Sequence, residues 1–312
     1  MSLASVIAKC VLAALAVLGV AQAEDKYLFA YFMNNGETGV YFAISDDGYH
    51  YRPLNGGKPW LLPAHQGQLM RDPYVARDLK GGFHMVWTWA WRGNVFGHAH
   101  SKDLVSWGEQ TMTEAFPGVP GVRNTWAPEL VYDPKTAEWI VFWSATIEGR
   151  FPETADSLDN GNNHRVYARA TRDFKQFSEP WLFFDPGYPV IDATIVPSGS
   201  GYDMYFKDER VKPLRKQILR AAGKSARGPW TVQGDAFTEE WSEGPSALVV
   251  KDHTVVFYDH YRDPASYRAM RSRDRTYWQN ATPMISFPPK SKHGSFLTIT
   301  AAEAARLEAR RD

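Results

Sequence analysis

One short motif recurs along this chain and constrains its fold more than any other feature: Ser or Thr, any residue, Asp, and an aromatic six residues after the first position. Its copies are Ser45-Asp46-Asp47 to Tyr51, Ser101-Lys102-Asp103 to Trp107, Thr171-Arg172-Asp173 to Phe177, and Ser272-Arg273-Asp274 to Trp278. A degenerate fifth runs from Lys224 to Trp230. Successive copies start 48 to 70 residues apart, which is room for four short strands and their turns, the period of a propeller blade. The Asp residues Asp47, Asp103, Asp173 and Asp274 read as turn caps rather than catalytic groups.

Before each copy lies a run of aromatic and β-branched residues, at 27–33, 83–91, 139–147, 202–207 and 254–261, and such runs read as strands. Four of these runs follow a further strand that opens on a polar cluster: Arg71-Asp72-Pro73, Trp126-Ala127-Pro128-Glu129, Ile191-Asp192-Ala193 and Ser242-Glu243-Gly244-Pro245. The unit at Tyr27 has none ahead of it. Its missing strand is expected at 293–299, from the far end of the chain, which closes a ring and leaves few free edges. Thr300-Ala301-Ala302-Glu303 is a capping box opening one short terminal helix to Asp312. The fold expected is therefore all-β, a five-bladed β-propeller closed by its N- and C-terminal strands, in a single domain over 24–312.

Residues 1–23 read as a signal peptide, with Lys9, an apolar stretch at 11–20 and the small-x-small site Ala21-Gln22-Ala23. The stretch is too short to span a bilayer, and the one cysteine, Cys10, leaves with it. A disulfide-free product in the periplasm or the medium is expected, held together by burial alone. The 35 basic side chains balance 35 acidic ones, so there is no basic field for nucleic acid or an anionic membrane. Aromatics make up 14% of the chain, enough that some rings should face solvent and a flat ligand. A monomer acting on carbohydrate is expected.

In a propeller the first strand of each blade lines the axis, so Asp72, Glu129, Asp192, Glu243 and His293 should converge at one end of the channel. Converging carboxylates raise one another's pKa, so that a protonated acid can stand beside an ionised base, which glycosidic cleavage requires. Met70-Arg71-Asp72-Pro73, Trp126-Ala127-Pro128-Glu129, Val190-Ile191-Asp192, Ser242-Glu243-Gly244-Pro245 and Lys292-His293-Gly294 together resemble the blade openings of glycoside hydrolase family 43, over roughly residues 27–300. The likeness is to its compact arabinosidases and galactosidases.

That resemblance implies an inverting, metal-independent glycosidase that releases arabinose, galactose or xylose from plant polysaccharide. It implies Asp72 as general base, Glu243 as general acid, and Asp192 as the carboxylate that tunes and orients the acid. Glu129 departs from the Asp more usual after Trp-Ala-Pro and receives no catalytic role. Arg71 and Lys207 are expected to bond sugar hydroxyls, and Trp89 and Trp126 to stack on a sugar face. His293 is expected deep in the channel beside water or a structural cation, with no cofactor needed. Trp107, Trp230 and Trp278 are assigned to packing. Two other functions fit the same residues: a retaining propeller of the sucrose- and fructan-cleaving kind, against which stands the lack of an Asn-Asp-Pro-Asn-like motif before Asp72, and a non-catalytic sugar-binding propeller. The loops at 53–68 and 149–163 would set which sugar enters.

Overall fold

The computed structural model describes residues 25–199 and 201–310, so the expected leader over 1–23, with Cys10, lies outside the described residues. Among these the chain forms five four-stranded antiparallel sheets. The first strands are β1 (Lys26–Phe32), β2 (Val40–Ser45) and β3 (Arg52–Pro53). A second blade holds β4 (Arg71–Arg77), β5 (Phe83–Thr88), β6 (Val95–Ser101) and β7 (Thr111–Glu114). The third holds β8 (Trp126–Asp133), β9 (Glu138–Ala145), β10 (Arg165–Thr171) and β11 (Trp181–Phe184). The fourth holds β12 (Val190–Ser198), β13 (Gly201–Asp208), β14 (Gln217–Gly223) and β15 (Trp230–Gln233). The fifth holds β16 (Ser242–Val250), β17 (His253–His260), β18 (Ser266–Ser272) and β19 (Gln279–Asn280). The last strand, β20 (Lys292–Ile299), pairs with β1 from Lys26↔Ile299 to Phe32↔Lys292 and completes the first blade. The inner strands β4, β8, β12, β16 and β20 each touch the next, and β20 touches β4, so the ring is closed as expected.

The recurring motif is the turn between the third and fourth strands of a blade. Asp47 Oδ1 accepts the N–H groups of Tyr49 and His50, Asp103 those of Val105 and Ser106, Asp173 those of Lys175 and Gln176, and Asp274 those of Thr276 and Tyr277. Each Asp thus satisfies two turn amides that the ladder cannot reach. The degenerate copy has no Asp, and there the Ser225 hydroxyl donates to the carbonyl of Gly228 instead. The aromatic that ends each motif packs between blades: Trp107 beside Phe42 and Trp60, Trp230 beside Phe183, and Trp278 beside Phe237 and Tyr205.

The terminal helix, α1 (Ala301–Ala309), starts where the capping box places it, with Thr300 as N-cap accepting from the Glu303 N–H. Ala304 and Leu307 bury against the core shared by the first two blades. Glu303 also accepts two bonds from Arg77, at 2.6 and 2.9 Å, tying the helix to the end of β4. Those Arg77 bonds, helped by the Thr300 N–H and the guanidinium charge and opposed by burial, pull the Glu303 carboxyl down to about 2. A carboxyl depressed on folding stabilises the protein above its unfolded pKa, and that contribution fades as pH falls through the folded value. Glu303→Gln should therefore cost roughly 1 kcal/mol near neutral pH, because the pair is partly exposed and screened by solvent. In urea melts repeated at falling pH, parent and variant should converge as the parent's carboxyl takes its proton.

Candidate active site

Each inner strand opens with an irregularity. The ladder slips between Arg71 and Tyr74, Trp126 and Glu129, Ile191 and Thr194, and Glu243 and Ser246. At each slip one residue adopts a left-handed backbone: Asp72 at φ 51°, Ala127 at 46°, Asp192 at 54° and Gly244 at 58°. Three of the four are not glycine, and strained bulges of this kind re-aim side chains at functional sites. Only glycine fits at 244, because a Cβ there would stand 2.6 Å from His293 Cγ.

The bulges leave peptide N–H groups outside the ladder, and side chains from the neighbouring blade accept them. Thr88 Oγ1 accepts from Ala127 at 2.7 Å, Ser144 Oγ from Asp192 at 3.0 Å, Asp192 Oδ2 from Gly244 at 3.0 Å, and Asp259 Oδ2 from His293 at 2.8 Å. Satisfying these buried donors fixes the blades to one another around the axis. It also fixes the residues on either side of each bulge, Glu243 among them.

The carboxylates open into a cavity of about 920 Å³, whose lining includes Arg71, Asp72, Trp126, Asp192, Glu243 and His293. Asp72 is held on both oxygens: Thr88 donates to Oδ2 at 2.7 Å and His293 Nδ1 stands 3.2 Å from Oδ1. Burial alone would raise its pKa, but the His293 hydrogen bond and charge, with Arg71 and Thr88, bring it below the usual carboxylate value. Burial works against the His293 cation too; the bond to Asp72 and the charges of Asp72, Asp192 and Asp259 outweigh it and push the ring up to about 10. The His293 ring thus stands among these carboxylates at the axis, with its Nδ1 beside Asp72.

Asp192 is pushed up to about 6, chiefly by burial, with the charges of Glu243 and Asp72 adding to it and those of His293 and Lys207 opposing. Glu243 is the more open of the two, its side chain 35% exposed. Its Oε2 lies 2.9 Å from Lys207 Nζ. Lys207 in turn meets Glu209 at 2.8 Å and lies over the Tyr261 ring. Glu209 continues to Lys216 and from there to Asp159 in the 149–163 loop, both at 2.6 Å. A chain of alternating charges thus links the 149–163 loop to Glu243.

Two expected substrate contacts are placed differently. Lys207 is buried, its side chain 2% exposed, and stands behind the cavity wall against the lining residues Glu243, Glu209 and Tyr261. Trp89 lies outside the lining and packs beside Trp87 and His65 against the core. The reason is that β5 ends at Thr88 and the chain bends, so that Trp91 enters the cavity, with the Arg71 guanidinium 4.1 Å from its ring and the Trp126 ring edge-on at 5.5 Å. Glu129 also lies outside the lining; it is buried, and burial with the Asp192 charge raises its carboxyl well above the usual value.

Asp259 was not signalled by any blade-opening motif, yet it lines the cavity and burial, with Glu243 nearby, raises it to about 7. A signal exists in the second strands: Thr88, Ser144, Lys207 and Asp259 each pair with the last residue before the slip, Arg71, Trp126, Ile191 and Glu243. Each is a polar residue directly after an aromatic, Trp87, Trp143, Phe206 and Tyr258.

Carboxyl groups of differing proton affinity, gathered in a sugar-sized cavity with two tryptophans and an arginine at its wall, are the equipment of a propeller glycoside hydrolase. The chain belongs to the glycosyl hydrolase family 43-related family, whose model, described as a probable glycosyl hydrolase domain, matches residues 23–305. Over 199 residues it is 27% identical to an α-L-arabinofuranosidase of Bifidobacterium longum subsp. longum, an alignment covering 57% of this chain but 19% of that protein. The chain thus spans about a fifth of that relative's length. Solved structures of similar fold include a thermostable family-43 glycoside hydrolase, with TM-score 0.51, 16% identity, 71% of this chain and 73% of that one. Another is the α-L-arabinofuranosidase of Lactobacillus brevis, with TM-score 0.52, 19% identity and 68% and 72% of the two chains. A third is the exo-β-1,3-galactanase of Phanerochaete chrysosporium bound to β-1,3-galactotriose, with TM-score 0.52, 10% identity and 67% and 48% of the chains.

Proposed function

We propose that this chain is an exported exo-acting glycosidase that removes arabinose, galactose or xylose from plant polysaccharide, with inversion at the anomeric carbon. α-L-Arabinofuranosides are the first substrate to test, since an arabinofuranosidase is the curated relative. The observation that carries the reading is the meeting of Asp72, Asp192 and Glu243 in one cavity. Asp72, kept ionised beside the His293 imidazolium, takes a proton from water as that water attacks the anomeric carbon. Glu243, the exposed member, gives its proton to the departing glycosidic oxygen, and both return to their starting states by exchange with solvent. Asp192 is a positioning residue: its carboxylate accepts the Gly244 N–H and so holds the peptide next to Glu243. Lys207 has the same function from the other side. Arg71, Trp91 and Trp126 form the wall on which a sugar ring can lie.

Nitrophenyl α-L-arabinofuranoside, β-D-xyloside and β-D-galactoside, assayed with natural arabinan and galactan, test the substrate class. Turnover of at least one, with the first-formed sugar seen by proton NMR in the opposite anomeric configuration, is the expected outcome. A retained anomer would overturn the base and acid assignment. Binding of these sugars with no turnover would favour the non-catalytic propeller.

A further inference from the structure

Away from the cavity, the second blade gathers three histidines and an aspartate that the reaction does not use. Asp72 opens β4 and Asp78 follows its last residue, so the two stand at opposite ends of a strand, roughly 20 Å apart. Asp78 sits in the β4–β5 turn, His84 on β5 and His100 on β6, where the register pairs His84 directly with His100. His100 Nε2 lies 2.9 Å from Asp78 Oδ2, and His84 Nε2 lies 4.0 Å from the same oxygen. The three donor atoms all fall within 4.8 Å of one another.

From this geometry we infer that Asp78, His84 and His100 form a binding site for a divalent ion of the zinc type. Ligand atoms around a tetrahedral zinc lie ~3.4 Å apart, given bonds of ~2.0–2.2 Å, and the separations of His100 and His84 from Asp78 bracket that value. Two imidazoles and one carboxylate suit zinc and its neighbours, whereas calcium and magnesium prefer oxygen alone. His84 and His98 share a hydrogen bond of 3.0 Å, Nδ1 to Nε2. With His84 Nδ1 as donor, Nε2 carries the lone pair directed toward Asp78, the arrangement of a metal-binding imidazole steadied by a neighbour. Phe174 from the next blade stacks on both His84 and His98 and holds their planes.

A glycine supplies an independent observation. A Cβ on Gly82 would lie 2.7 Å from Asp78 Oδ2 and 2.7 Å from His100 Nε2. Any other residue at that position would put a carbon between two of the proposed ligands. The side chains of Asp78 and His84 are each 13% exposed and that of His100 is 40% exposed, so an ion here would keep solvent on its open side. Bound, it would tie the β4–β5 turn to β6.

The test is zinc titration of the tag-free, chelator-treated chain by calorimetry, with thermal melts, alongside Gly82→Ala and His100→Gln. Gly82 has no left-handed backbone to lose, and Gly82→Ala displaces Asp78 Oδ2 and His100 Nε2 from their present positions without deleting either ligand. His100→Gln removes one ligand and keeps a hydrogen-bond donor for Asp78. The parent should bind one equivalent of zinc and melt roughly 5 °C higher at a hundredfold excess over Kd. Both variants should bind at least tenfold more weakly, and the visible bands of tetrahedral cobalt(II) should weaken in step. Should Gly82→Ala fail to fold, His100→Gln and the cobalt spectrum decide alone. A parent that binds no zinc, or a folded variant that binds it as tightly as the parent, would overturn the site. The second result would locate the ion elsewhere.

Discussion

Replacing Glu243 by Gln should cost about three orders of magnitude in kcat/KM on a natural arabinoside or galactoside, and far less on a dinitrophenyl glycoside. A sugar hydroxyl is a poor leaving group unless it is protonated as the bond breaks, while dinitrophenolate departs without help. Asp72→Asn should be as damaging on both substrates, because water needs a base whatever leaves. Azide, a nucleophile with no proton to lose, should partly restore the Asp72 variant and give a glycosyl azide of inverted configuration. The structure makes the comparison a fair one. In Glu243→Gln, Lys207 keeps Glu209 as its charge partner, so the buried ammonium is not stranded. In Asp72→Asn, Thr88 and His293 each retain a polar neighbour. A melting temperature near the parent's should accompany the Glu243 loss, while Asp72→Asn, which leaves the buried His293 without its nearest counter-charge, should fold but melt lower. Equal losses for Glu243→Gln on good and poor leaving groups, with chemistry rate-limiting, would remove its acid role.

The ring could be read from sequence because its determinants are local. Each Ser/Thr-x-Asp turn closes on its own amides, each strand alternates or runs apolar, and the odd unit at Tyr27 needed one more strand, which Lys292–Ile299 supplies. Asp72, Asp192, Glu243 and His293 were legible for the same reason: each opens an inner strand, and inner strands meet at the axis. Residues whose roles depend on what lies opposite were not legible. Asp259 matters because it faces Glu243 across the ladder, and Lys207 is a buried partner of Glu243 rather than a free contact for sugar. Trp89 and Trp91 differ only in where β5 stops, and past Thr88 the alternation of a strand no longer tells which ring turns inward. His98-Ala99-His100 shows one face of β6, but His84 joins it only through the register of β5 and β6.

Deleting residues 292–312 should abolish cooperative folding, since this segment joins the two ends of the chain. β1 would lose its whole ladder with β20, leaving buried N–H and C=O groups along Lys26–Phe32 unpaired, each at a cost of about 1–3 kcal/mol. The inner ring would open between β16 and β4. Ser295 Oγ accepts the Val75 N–H and donates to the Pro73 carbonyl, both at 2.9 Å, so β4 would lose its anchor just beyond Asp72. Phe296, stacked on Phe29 at 4.6 Å and close to Phe257 at 4.3 Å, would leave the core between the first and fifth blades. Asp72 would lose His293 as well. The sum exceeds the whole stability of an ordinary domain, about 5–15 kcal/mol, so the expected product is insoluble or lacks a melting transition. A shorter deletion, of residues 301–312 alone, removes α1 with Glu303 and Leu307 but leaves the β20 ladder intact. It should lower the melting temperature and keep both a sharp transition and measurable activity. If the longer deletion melted as cooperatively as the shorter one, closure of the ring by the last strand would not be what holds the propeller together.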